Sequence, residues 1–202
     1  TSGGASVPCE VIGFERDAVL AMPFSHLAGV RRGCRALIQS RLGAVRPSHD
    51  WLGRVIDGFG TPVDGGFGLP QGPKSYPFRA PPPSAHKRQR LGSTLDLGVR
   101  ALNTFLPVRR GQRMGLFAGS GVGKSVLMSM IARNAEADVF VIGLIGERGR
   151  EVNEFIRDDL GPDGLARSVV VVATSDESVL TRRQAAYLTL TVAEFFRDSG
   201  KN

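Results

Sequence analysis

The residues best placed to do chemistry lie in Leu116–Leu127, which reads LFAGSGVGKSVL. Gly119, Gly121 and Gly123 alternate through a short turn, and Lys124 and Ser125 follow at once. Glycine tolerates positive φ and carries no Cβ, so successive backbone N–H groups in such a turn can converge on an anion. A helix opening at Lys124 would add its unpaired N–H groups and its partial positive charge. In that arrangement the Lys124 ammonium bridges the outer phosphates of a nucleotide, and the Ser125 hydroxyl is a ligand for Mg²⁺. The candidate binding segment is therefore Ala118, Gly119, Ser120, Gly121, Val122, Gly123, Lys124, Ser125 and Val126, with ATP and Mg²⁺ as the implied ligands. Ala118 stands where the strict pattern has glycine, and its small side chain is compatible with an ordinary φ.

A second pair of reactive groups comes from GLIGERGREV. An apolar run ends at Ile145-Gly146 and delivers Glu147 and Arg148 to what would be the carboxyl end of a strand, the edge where open α/β sheets bind ligands. A carboxylate there can orient and polarise water for in-line attack on a terminal phosphorus, and a guanidinium beside it can contact phosphate oxygens. The candidate catalytic set is Glu147, Arg148 and Lys124. The structural alternative for Glu147 and Arg148 is a surface ion pair capping the next helix.

These groups need a scaffold, and the period of the apolar residues supplies one. RMGLFAG predicts a buried strand over Met114 to Phe117. VLMSMIARNA predicts a helix with Val126, Leu127, Met130 and Ile131 on one side. DVFVIGLIG and SVVVVATS read as parallel strands covered on both faces. Between them VNEFIRDDL predicts a helix with Val152, Phe155 and Ile156 at i, i+3 and i+4, stopped by Gly161-Pro162. Thr174-Ser175-Asp176-Glu177 fits a capping box. It opens a long helix with Tyr187, Leu190, Ala193 and Phe196 at helical spacing, running to Gly200. Strands and helices alternating in this way define a parallel α/β sheet with right-handed crossovers.

The preceding part has a different character. VPCEVIGF, AVLAMPF, CRALIQSRLGAV and LGRVIDGFG are short apolar runs, with Asp57-Gly58 and Asp64-Gly65-Gly66 as tight turns. They predict a small barrel or sandwich, incomplete at its start. LPQGPKSYPFRAPPPSAHKRQR, with Pro81, Pro82 and Pro83, then reads as an extended linker. The expected division is 1–78 for the β-rich part and the start of the linker, and 79–202 for the α/β part.

Composition bounds the rest. The 202 residues carry a formal charge of +7, with 42% hydrophobic and 22% charged residues, the balance of a globular chain with one core and a smaller unit. No apolar run approaches the ~18 residues of a membrane span, and no leader pattern opens the sequence. Cys9 and Cys34 cannot form a disulfide framework and have no metal-ligand spacing, so a reducing, cytoplasmic setting is expected. The basic balance permits anionic contacts. The cluster His86, Lys87, Arg88 and Arg90 has no interleaved aromatics, which favours a solvated linker over a nucleic-acid surface.

Read together, LGRVIDGFGTPVDG, APPP, GVRALNTFLPVRRGQRMGLFAGSGVGKS, GLIGERGREV, VVVVATSDES and RRQAAYLTLTVAEFFRDSGK resemble the catalytic subunits of the rotary ATP synthase superfamily. Within it they are most similar to the ATPases of type III protein export, and there to the flagellum-specific group, with the virulence-type (injectisome) group as the alternative. The resemblance covers nearly the whole chain. It implies a RecA-like P-loop NTPase core behind a partial N-terminal β-barrel, assembled as a homohexamer with sites between subunits. It also implies MgATP hydrolysis coupled to unloading of export substrates and their chaperones by the export apparatus, at the cytoplasmic face of the inner membrane. By motif position Ala118 to Ser125 match the phosphate loop, Glu147 the catalytic carboxylate and Arg148 the adjacent phosphate-contacting arginine. The family continues past the equivalent of Asn202 into a strand ending in an aspartate that completes the magnesium site. Adenine-packing residues, an arginine finger and a helical domain follow. The chain is therefore expected to be a fragment with negligible hydrolysis of its own. Two other readings stay open: a hexameric nucleic-acid motor, which needs stacking aromatics in the β-rich part, and a non-catalytic ring subunit, which would lack the carboxylate at 147.

Overall fold

A computed structural model describes residues 6–38, 43–119 and 121–202. The chain opens with a hairpin in which β1 (Cys9–Glu15) pairs antiparallel with β2 (Ala18–Pro23). It is followed by irregular backbone, so the run expected as a strand over CRALIQSRLGAV contributes only β3 (Ala44–Val45), and residues 39–42 lie outside the described residues. β4 (Arg54–Ile56) comes next, then β5 (Tyr76–Pro77), which pairs antiparallel with β3. Among the described residues these strands do not close into a barrel. β4 instead lies parallel to a strand more than a hundred residues away, so the run Leu52–Gly60 serves the α/β sheet, across the expected division at 78/79. Alternation of apolar residues tells which face a strand buries, not which sheet it joins.

The two turns expected from sequence are built as the side chains dictate. Asp57 Oδ1 accepts the N–H groups of Phe59 and Thr61, both at 2.8 Å. Asp64 accepts the Gly66 N–H at 2.9 Å and the Val55 N–H at 3.1 Å. Arg54 grips the same carboxylate through Nε (2.7 Å) and Nη2 (2.9 Å), a two-point bond that staples the turn to β4. The Trp51 indole, fully buried, donates to the Pro70 carbonyl at 2.8 Å and anchors the next loop.

β6 (Thr94–Leu95) pairs with β7 (Val108–Arg109) across α1 (Arg100–Phe105). The expected strand Met114–Phe117 does not form: the backbone is irregular, and Phe117 is 96% exposed. A strand requires ladder partners for its N–H and C=O groups, and no described strand lies beside this run. α2 (Lys124–Asn134) does form, but rotated from the expected face. It seats Ser129 and Ala132, with Leu127 and Ile131 half-buried, and leaves Val126 and Met130 exposed. The seated face packs against the π-helical turn and α4, a choice of partner that the hydrophobic count could not supply.

The sheet is parallel: β4, then β9 (Ser168–Ala173), then β8 (Phe140–Ile145), with β8 matched to β9 along its length. α3 (Gly149–Glu154) runs through a π-helical turn, Phe155–Leu160, into α4 (Gly161–Ala166). Gly161-Pro162 is thus a re-aiming point and not the expected stop. One sheet face buries Val170, Ile142 and Leu144 against Ala132, Val152 and Phe155. The other buries Val169, Val171 and Ala173 against α5 (Val179–Asp198) and the loops around Trp51 and Tyr76. The buried stripe of α5 is Thr181, Ala185, Leu188, Val192, Phe195 and Phe196, with Leu190 outside it at 64% exposure. The helix cap is Ser178, whose side chain accepts the Thr181 N–H at 3.1 Å, while Glu177 reaches back to the Thr174 N–H at 3.1 Å. Among the described residues no helix is long and apolar enough to cross a membrane.

The Arg54 bond holds the Asp64 carboxyl far below its usual range, with the backbone N–H groups of Gly66 and Val55 adding to the effect. A depressed folded-state pKa contributes stability that is present above the unfolded value of 3.8 and is lost as pH falls through the folded one. Asp64→Asn should therefore lower the thermal midpoint at neutral pH, and the gap to the wild type should begin to narrow below about pH 5 and go on narrowing past about pH 3. Leu188→Ala, at a fully buried position, should cost about 2–5 kcal/mol in urea unfolding.

Candidate functional site

The turn before α2 is shaped by glycines in the left-handed region: Gly121 has φ 73° and Gly123 has φ 93°. Gly123 caps α2, and its carbonyl accepts the Leu127 N–H at 2.9 Å. The donors of the first helical turn are therefore free to face a ligand. No heavy atom outside the immediate chain neighbours lies within 4 Å of the Cβ position of Gly119, Gly121 or Gly123, so the concave side of the turn is open. Ser125 and Val122 are exposed there, and Val126 is exposed at 52%. Ser120 lies outside the described residues.

Across from the turn, β8 ends at Ile145, and Gly146 (φ 82°) donates its N–H to the Ala173 carbonyl at 2.7 Å. The Glu147 carbonyl accepts the Ser175 N–H at 2.9 Å. Glu147 is thus fixed by backbone bonds on both sides to the carboxyl ends of β8 and β9. Its Oε1 lies 3.7 Å from Lys124 Nζ, with the two side chains 37% and 40% exposed. An ion pair this accessible to water is weak, and a polyphosphate can displace the carboxylate from the ammonium without breaking a buried contact.

Arg148 takes a different course. Its backbone N–H donates to Glu151 at 3.4 Å, its guanidinium lies 3.6 Å from the same carboxylate, and its side chain is 81% exposed. It occupies the helix-capping arrangement at the head of α3, turned from the Lys124–Glu147 pair.

The structure also places at this edge a residue that pattern reading left inside a helix. Arg182, in the first turn of α5, has Nη1 3.8 Å from the Cβ position of Gly146. Its Nε is buried with no hydrogen-bond partner among the described residues. The signal in sequence was slight: an arginine in the first turn after a strand whose carboxyl end faces the site. Arg182 adds a cation to the edge at which Lys124 faces Glu147.

The donor set fits a nucleotide polyphosphate. For Mg²⁺, the Ser125 hydroxyl offers a single oxygen, and no cluster of three or more metal-binding side chains occurs among the described residues. That suits a cation that keeps waters and takes its remaining ligands from phosphates.

A parallel sheet with a glycine-rich turn at a helix head and a carboxylate opposite defines a P-loop nucleotide-binding α/β protein. Residues 98–202, just over half of the chain, match the ATP synthase alpha/beta family, nucleotide-binding domain, and the chain belongs to that family. The flagellum-specific ATP synthase of Caulobacter vibrioides is 57% identical over 196 residues, 97% of this chain and 44% of that protein. The type 3 secretion system ATPase of Xanthomonas euvesicatoria is 49% identical over 191 residues, 95% of this chain and 43% of that protein. Among solved structures, the assembled ATPase EscN in complex with its central stalk EscO, from the enteropathogenic E. coli type III secretion system, superposes with a TM-score of 0.88. It shares 44% identity and covers 96% of this chain and 48% of its own. The chain spans a little under half the length of the curated relatives it matches.

Gly146 needs its left-handed φ, whereas Gly149 begins a helix, and a Cβ added there would meet only Thr174 Cγ2 at an ordinary 4.0 Å. Gly146→Ala should cost about 1–2 kcal/mol in urea unfolding, and Gly149→Ala should cost nothing or stabilise by up to ~1 kcal/mol.

Proposed function

We propose that this chain is the nucleotide-handling part of an ATPase that energises type III protein export, in flagellum assembly before injectisome secretion. The observation that carries the reading is the Lys124–Glu147 juxtaposition at the carboxyl edge of the parallel sheet, in a chain 57% identical to a flagellum-specific ATP synthase. In this reading Ala118 to Ser125 cradle the phosphates, with Val126 behind them, and Lys124 bridges the outer two. Ser125 is the protein ligand of Mg²⁺. When a phosphate takes over Lys124, Glu147 is released to orient and deprotonate the attacking water. Arg148 joins only by leaving Glu151. Its exposed position makes that swing cheap.

Neighbouring copies complete the assembly as a homohexamer, a reading that the assembled EscN structure supports. The export apparatus, its substrates and their chaperones are the partners, and the working place is the cytoplasmic face of the inner membrane. The injectisome alternative is favoured by the 49% identity to a type 3 secretion system ATPase.

Lys124→Ala should abolish MgATP binding while leaving thermal unfolding unchanged, as read by titration calorimetry. Wild-type affinity in the folded variant would overturn the assignment. Glu147→Gln, introduced into the gene of the source bacterium, should keep nucleotide binding and lower hydrolysis about 10²–10⁴-fold. Loss of swimming motility in that strain supports the flagellar role. Retained motility with lost secretion of virulence proteins supports the injectisome instead.

A further inference from the structure

Away from the nucleotide edge, a carboxylate of the first strand is held by arginines remote in sequence. Glu10 in β1 accepts from Arg79 Nη2 at 2.6 Å and from Arg183 Nη2, and its side chain is only 24% exposed. Close by, Thr181 Oγ1 donates to the carbonyl of Phe24 at 3.0 Å in a buried bond. Phe24 is itself buried, edge-on to Phe59 at 5.1 Å between ring centroids. The N-terminal hairpin therefore grips the first turn of α5 at Thr181 and at Arg183.

The residue between these two is Arg182. Successive helical positions differ by about 100° around the axis, so Arg182 projects away from the hairpin contacts and ends over Gly146. Its Nε has no partner to fix its orientation. What aims this guanidinium is the placement of the helix turn that carries it. That turn is pinned on the two flanks of Arg182, at Thr181 by the Phe24 carbonyl and at Arg183 by Glu10.

We propose that Glu10 is a positioning residue for the nucleotide site. Through Arg183 it fixes the first turn of α5, and so holds the Arg182 guanidinium over Gly146 at the end of β8, where it meets the terminal phosphate. The inference rests on the reading of the Lys124–Glu147 edge as the nucleotide site. It makes the N-terminal hairpin a determinant of how the site distinguishes a triphosphate from a diphosphate.

The test compares MgATPγS with MgADP binding to the purified protein by calorimetry, with thermal unfolding of each variant as a fold check. Glu10→Gln and Arg183→Gln should each weaken ATPγS binding about threefold to tenfold and leave ADP within about twofold. The double variant should be no weaker than either single one, as for residues acting through one bond. Arg183→Gln leaves the Glu10–Arg79 bridge in place, so it reads the coupling even if Glu10→Gln does not fold. Arg79→Gln, which spares the Arg183 bond, should leave the ATPγS-to-ADP ratio at the wild-type value. An unchanged ratio in Glu10→Gln or Arg183→Gln overturns the inference, as does an equal loss for both nucleotides, which is the signature of general loosening. A wild-type protein that binds neither nucleotide overturns the reading of the site itself.

Discussion

The structure depends on one ladder: β8 paired in parallel with β9, from Phe140 opposite Ser168 to Ile145 opposite Ala173. Parallel strands cannot be joined by a tight turn, so the chain between them must leave the sheet and cross back over it. That crossover is α3, the π-helical turn and α4, and it covers one face with Val152, Phe155 and Leu160. The strand that results is buried on both sides, and α5 closes the second face. Each fully buried valine of β9 contributes on the order of 1.5–3 kcal/mol relative to exposure. The ladder then ends where both strands run out of partners, and its carboxyl edge becomes the place where polar groups can gather.

What gathers there is set by backbone as much as by side chain. Gly146 turns out of β8 while still bonded to Ala173, and the carbonyl of Glu147 is bonded to Ser175. The carboxylate therefore stands on a fixed base, opposite a turn whose donors point outward because Gly123 is left-handed at the head of α2. The rigidity belongs to the sheet edge. Among the described residues of the glycine turn, Gly119, Gly121 and Val122 are exposed.

The sheet also recruits residues from distant parts of the chain. β4 enters beside β9 from more than a hundred residues earlier in the sequence, and the Arg54–Asp64 bond fixes the turn that follows it. Gly58 approaches α5 so closely that an added Cβ would lie 3.1 Å from the Thr181 carbonyl oxygen. The N-terminal segments are therefore part of the packing of the α/β unit, joined to it through α5. This is why the hairpin at Glu10 and the nucleotide edge share one helical turn.

By itself the sequence determined β8, β9 and the crossover between them, because a run of β-branched residues flanked by amphipathic helices has few other ways to bury its apolar surface. It also offered the glycine turn and Glu147 as candidates, because residue type and spacing specify donors and acceptors locally, and the ordered motifs supplied the family. Tertiary structure alone decided the rest. Met114–Phe117 has the composition of a strand but no neighbour to pair with, and a ladder is a property of two segments. The face that α2 seats, at Ser129 and Ala132, is set by its packing on the π-helical turn and α4, not by its largest apolar residues. Arg148 is turned to Glu151, and Arg182, silent in the pattern, is brought over Gly146. Where a side chain points follows from how its helix is seated, and that information lies in contacts between residues as distant as Glu10 and Arg183.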